Sequence, residues 1–100
     1  MSITVRVELS PVFQSLCPSP LFTIQLKEEE ATVQGLCMRL SLEYGERMKD
    51  LLFEKGEGSV MPGLMVMVND QIYTGVALSQ KEVRLMEGDR VSLLYFVSGG

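Results

Sequence analysis

Thr32-Val33-Gln34-Gly35-Leu36-Cys37-Met38-Arg39-Leu40-Ser41-Leu42-Glu43-Tyr44 is the segment on which the fold turns. Val33, Leu36, Cys37, Leu40 and Tyr44 fall at i, i+3, i+4, i+7 and i+11, an apolar stripe at the helical period. Thr32 stands where its hydroxyl can take an orphan amide of the first turn. Gly45, just past the stripe, suits the left-handed conformation that ends a helix. Gly35 weakens the first turn by up to about 1 kcal/mol relative to Ala. Met48, Leu51 and Leu52 continue a helical spacing, which predicts a second short helix over residues 46–54.

Strands flank this helical region on both sides. Ile3, Val5, Val7 and Leu9 alternate with Thr4, Arg6 and Glu8, the period-two pattern of a strand with one buried face. Pro11, Pro18 and Pro20 predict a loop over residues 10–20 with no regular element. Phe22, Ile24 and Leu26 then share one face of a second strand, expected to pair antiparallel with the first. Lys27 to Glu30 reads as a solvated connection. Further on, Leu64-Met65-Val66-Met67-Val68 is an apolar run too short for an ordinary helix and bounded by Pro62, Gly63 and Asn69-Asp70, hence a strand. Gln71-Ile72-Tyr73 is a short returning strand, residues 74–84 read as irregular, and Glu87-Gly88-Asp89 is a turn. Val91-Ser92-Leu93-Leu94-Tyr95-Phe96 is the last strand. A sheet of four or five strands across one main helix buries one face of each, an α+β arrangement in which the first and last strands can lie parallel.

Composition narrows the chemistry. With 100 residues there is room for one core, and 46% hydrophobic against 22% charged residues is a globular balance. The formal charge of −4 weighs against nucleic acid as a partner, because phosphate backbones attract a basic stripe. No apolar run approaches the roughly 18–20 residues of a membrane span, and the N-terminal segment lacks the pattern of a secretory signal. A cytoplasmic location is therefore expected. The chain has no histidine, which removes the commonest general base and metal ligand. Cys17 and Cys37 lack metal-binding spacing, so no metal site is expected. Cys37 falls on the apolar helical face and reads as a small core residue. No catalytic constellation is present, so the chain is not expected to be an enzyme in its own right.

The informative residues are the last ones, Val97-Ser98-Gly99-Gly100, whose glycines begin three positions after an apolar strand ends at Phe96. Glycines without Cβ atoms can thread a narrow channel and adopt backbone angles closed to other residues. The terminal carboxylate of Gly100 is unhindered and becomes a useful electrophile once converted to an acyl-adenylate, which a sulfur or amine nucleophile can attack. Four residues reach at most about 13–14 Å from the domain, enough to enter a partner's active site.

Several features together resemble the MoaD/ThiS family of ubiquitin-like sulfur carriers. They are the helix–strand–turn–strand order, Ala31-Thr32-Val33 opening the helix, Val68-Asn69-Asp70 at the hairpin, Glu87-Gly88-Asp89-Arg90-Val91 before the last strand, and the diglycine end. The resemblance implies a β-grasp domain over residues 1–96, with a mixed sheet on one main helix plus a short second helix, and a flexible reactive tail over residues 97–100. It also implies an ATP-using, ubiquitin-activating-type adenylating enzyme that activates Gly100, and a sulfur donor that converts the adenylate to a thiocarboxylate. No cofactor is bound by the chain itself; the ATP is used by the partner. The length is similar to that of molybdopterin synthase small subunits, which implies sulfur transfer in molybdenum (or tungsten) cofactor biosynthesis with the synthase large subunit as acceptor. The alternatives are a carrier for thiamine or another pathway, a modifier joined to lysines by isopeptide bonds, and a passive interaction module.

A docking surface is also expected. In the last strand Val91, Leu93, Tyr95 and Val97 form one face, and Ser92, Leu94, Phe96 and Ser98 the other. A sheet covered by a helix on one side needs a single apolar face, so Leu94 and Phe96, with Met65 and Met67 on a neighbouring strand, predict an exposed apolar patch that engages the partner alongside the tail.

Overall fold

The computed structural model describes residues 1–17, 19–54 and 59–95. Strand β1 (Ser2–Leu9) pairs antiparallel with β2 (Leu21–Lys27), Val5 opposite Ile24 and Val7 opposite Phe22. Strand β5 (Arg90–Tyr95) lies parallel to β1, with Val91 beside Val7 and Leu93 beside Leu9. Strand β3 (Leu64–Val68) runs antiparallel to β5, and β4 (Gln71–Thr74) antiparallel to β3. The order β2-β1-β5-β3-β4 makes a mixed five-stranded sheet, as expected. The two-residue link Asn69-Asp70 sets the β3–β4 register, and Asn69 takes the positive φ of 55° that such tight hairpins need.

Alternation decides which side of the sheet is covered. Val5, Val7, Leu9, Leu26, Leu64, Val66, Val68, Val91 and Leu93 are all buried on one face. Against them lies helix α2 (Val33–Tyr44), whose Val33, Leu36, Cys37 and Leu40 are fully buried. Thr32 caps α2, its hydroxyl accepting from the Gly35 amide at 2.8 Å. Gly45 ends it at φ 93°. Helix α3 (Glu46–Leu52) follows at once and buries Met48 and Leu52. It stops short of residue 54 because Phe53 turns to extended backbone and bridges Val60.

Three segments differ from the reading of the sequence. The proline-rich connection contains helix α1 (Pro11–Gln14), with Pro11 in the first turn. There its missing N–H costs nothing and its fixed φ favours the helix, so the proline begins an element instead of breaking one. Phe13 of α1 is fully buried. Glu28–Glu30, expected to be a solvated connection, is a 3₁₀ turn, with the Glu30 carboxylate accepting from the Lys27 amide at 3.0 Å. Residues 74–84, expected to be irregular, contain helix α4 (Gly75–Gln80). Thr74 caps α4 by accepting from the Ala77 amide at 3.1 Å. The Gln34 side-chain amide donates to the carbonyls of Leu78 (2.7 Å) and Lys81 (3.0 Å), tying α4 to α2. Beyond α4 the chain bonds to the start of α2, Val33 N to Val83 O and Leu85 N to Ala31 O, both at 2.9 Å. Among the described residues no helix is long and apolar enough to cross a membrane.

Gly35 also has a different meaning in three dimensions. A Cβ there would collide with the Glu30 carbonyl oxygen, because the 3₁₀ turn packs directly on the first turn of α2. Helix propensity alone predicts that Gly35→Ala stabilises the protein by up to about 1 kcal/mol. The packing predicts the opposite: a loss of about 1–3 kcal/mol, as for other overpacked sites, read by urea denaturation. An alanine variant as stable as the parent would show that the turn can move aside. By the same measurement Thr32→Ala should cost about 1 kcal/mol, the worth of its cap.

Candidate functional site

Among the described residues, no helix lies over the face of the sheet opposite α2. On β5, Val91 and Leu93 point into the core while Ser92 and Leu94 point to the open side and are half-buried. On β3, Leu64, Val66 and Val68 are buried, and Met65 and Met67 are half-buried on the open side. The register places Met65 opposite Leu94 and Met67 opposite Ser92. Three of the four residues expected to form a docking patch therefore come together on two adjacent strands. The fourth, Phe96, lies outside the described residues, as do Val97, Ser98, Gly99 and Gly100.

One member of the patch escaped the sequence reading. Ile72 on β4 sits opposite Met67 and is 57% exposed, extending the apolar row across a third strand. The signal was available: a two-residue hairpin at Asn69-Asp70 dictates that Met67 and Ile72 share a face. Leu94, Met65, Met67 and Ile72 thus form one apolar strip on a sheet side whose other positions are largely polar, the kind of surface that marks docking.

The strip reaches the C-terminal end of β5, where Leu94 pairs with Met65. Tyr95, the last residue of β5, packs its ring against Phe13 of α1 at 5.7 Å between centroids. The Ser10 amide donates to the Leu93 carbonyl at 3.0 Å, fixing the same end of β5 from the β1 side. Helix α1 therefore anchors the base from which the last five residues continue, beside Leu94 and Met65.

Nucleophilic or metal chemistry finds little support within the described residues. No group of three or more metal-ligating side chains comes together there. Cys37 is fully buried on α2, and burial pushes its thiol up to about 12. Burial also raises the thiol of Cys17, whose sulfur lies 3.5 Å from the carbonyl oxygens of Phe13 and Ser19. Both remain thiols at neutral pH, and a thiol is a poor nucleophile. At pH 8, iodoacetamide should modify native Cys17 slowly and leave Cys37 untouched until denaturant is added. Equal labelling of both in the native state would contradict this assignment.

With the geometry in place, comparison with known proteins is informative. Structures of similar fold include the HVO 2177 protein of Haloferax volcanii, at 24% identity and a TM-score of 0.77 over 99% of this chain and 88% of that one. The small archaeal modifier protein 1 of Methanosarcina acetivorans matches at 21% identity and a TM-score of 0.74, over 100% and 99%. A Pyrococcus furiosus protein proposed as molybdopterin converting factor subunit 1 matches at 22% identity and 0.66, over 95% and 99%. At these identities the likeness establishes the ubiquitin-like β-grasp fold. No curated protein sequence matches the chain. The ThiS family profile matches residues 20–100, from the start of β2 through the diglycine. On that match, and on the β-grasp sheet beneath it, the chain belongs to the ThiS family within the MoaD/ThiS group of ubiquitin-like proteins.

Proposed function

We propose that the chain is a sulfur carrier, a protein substrate whose reactive group is the carboxylate of Gly100. The observation that carries this reading is the family match, which runs through Ser98, Gly99 and Gly100. The chemistry follows from the ordinary reactivity of a carboxylate. An adenylating enzyme of the ubiquitin-activating type directs a Gly100 carboxylate oxygen at the α-phosphorus of ATP, and pyrophosphate leaves. Sulfide attacks the acyl carbon; the C–O bond to AMP breaks, AMP departs, and the product is a thiocarboxylate. Its sulfur attacks an electrophilic carbon of an acceptor and displaces the leaving group there, and water then hydrolyses the resulting acyl thioester, which frees the sulfur on the acceptor and restores the carboxylate. Splitting the substitution into two steps supplies the good leaving group that a free carboxylate lacks.

The preferred acceptor is the large subunit of molybdopterin synthase, with the chain as small subunit in molybdenum or tungsten cofactor assembly. Length supports this reading over the shorter thiazole-pathway carriers. Conjugation to lysines is the second reading, since an amine can attack the same adenylate. The name of the Methanosarcina protein points that way, although at 21% identity the likeness speaks for the fold alone. In either case the chain contributes the acyl group and the docking surface, and the partners contribute catalysis.

Intact mass after incubation with the activating enzyme, ATP and a sulfide source separates the readings. A carrier gains about 16 Da as sulfur replaces oxygen. Conjugates of higher mass indicate the modifier, and an unchanged mass in an assay that works for a known carrier overturns both. Deleting Gly100 should abolish the gain. Leu94→Asp, which places a charge in the apolar strip, should raise the KM of activation about tenfold or more while the domain stays folded by circular dichroism, roughly the cost of disrupting a buried apolar contact at an interface. An unchanged KM would remove the strip from the docking surface.

A further inference from the structure

The open face of the sheet is not uniform along β5. At the end nearest the tail it is apolar, with Leu94 beside Met65. At the other end Arg90 lies directly beside Arg6 of β1 in the parallel register, both exposed. Like charges placed directly opposite each other on a sheet destabilise it, and neither arginine is in an ion pair: those found among the described residues both belong to Arg39, with Glu30 and Glu43. The two arginines line a depression of about 670 Å³ together with Glu8, Thr23, Met67 and Asp70. Glu8 reaches toward Ser92, its carboxylate accepting from the hydroxyl at 3.4 Å. In a chain of net charge −4, a repelling pair of cations on the face that carries the apolar strip is a feature that folding alone does not favour.

We infer that Arg6 and Arg90 form a carboxylate-binding element that docks an acidic side chain of the adenylating enzyme, about 13 Å along β5 from the apolar contact at Leu94. This inference rests on the carrier reading above. The occupant follows from the surroundings. Met67 lines the depression and belongs to the apolar strip, so one surface has to satisfy both, an acidic group bordering an apolar patch on a protein. A nucleic acid or an anionic membrane presents repeating negative charge, which a chain of this sign and only two clustered arginines repels overall. Guanidinium groups match carboxylates in planar, two-pronged hydrogen bonds, and a pair of them held side by side makes the contact stronger than either alone. The strip and the pair together also give the docking a direction: acid at the Arg90 end and apolar contact at the Leu94 end.

The signature is an inverse relation between stability and docking. Arg90→Glu replaces a repelling pair with an attracting one, so the unfolding midpoint in urea should rise. In pyrophosphate exchange with the activating enzyme from the same organism, the KM for this variant should rise tenfold or more with kcat unchanged, and Arg6→Glu should do the same. The KM of the parent should increase between 50 and 200 mM NaCl while that of Arg90→Glu stays flat, as expected when a charge contact has been removed. Lys49→Glu, an equal charge change on α3 behind the sheet, should stay within about twofold of the parent. Arg variants with the parent's KM and salt dependence, while the parent is activated normally, would overturn the inference and leave the carrier reading standing. A parent chain that the enzyme never activates would overturn both, and a fall in stability of Arg90→Glu would contradict the repelling pair.

Discussion

The parallel pairing of β1 with β5 holds this structure together. It brings the first and last described strands into the middle of the sheet, Val7 beside Val91 and Leu9 beside Leu93, with β2 and β3 outside them. Parallel strands cannot be joined by a tight turn, so the whole intervening chain has to pass over the sheet as a crossover. That crossover is α2, which is why its apolar stripe is buried along its length and why the opposite face of the sheet is left uncovered. A final strand held between two neighbours on a closed core gives the residues after Tyr95 a fixed point of departure, with a rigid body behind them to grip.

The elements with strong periodicity were legible in the amino-acid sequence. Strands β1, β2, β3 and β5, and helix α2 with its Thr32 cap and Gly45 stop, follow from alternation or a 3.6-residue stripe, while the mixed sheet was what the family resemblance implied. Helices α1 and α4 did not, for a shared reason. Each is four to six residues long and buries a single side chain, Phe13 in α1 and Leu78 in α4. Too few turns are present to reveal a period, and prolines or a glycine at the boundary read as breakers. Gly35 was legible as a helical glycine but not as a contact, since the Glu30 carbonyl that requires it approaches through the tertiary fold.

The candidate site divides in the same way. Met65, Met67 and Leu94 were visible as side chains on the unneeded face of otherwise buried strands, and the structure places them in register. Arg6 and Arg90 lie 84 positions apart in the sequence, the first a polar alternate of a strand and the second part of the motif before the last strand. Only the strand order makes them neighbours, so a pattern that looks bland along the chain becomes a concentration of charge on the sheet. The thiols illustrate the converse, for burial raises both and pushes Cys37 up to about 12.

The most direct test of that division of labour is the intact mass of the chain isolated from its own cells, without added enzymes or sulfide. The account predicts a species that terminates at Gly100, accompanied by a fraction heavier by about 16 Da that collapses to the free acid on mild hydrolysis, as an activated acyl group should. A chain that always carries residues beyond Gly100, or one whose end never differs from the free acid while its pathway is running, would contradict it.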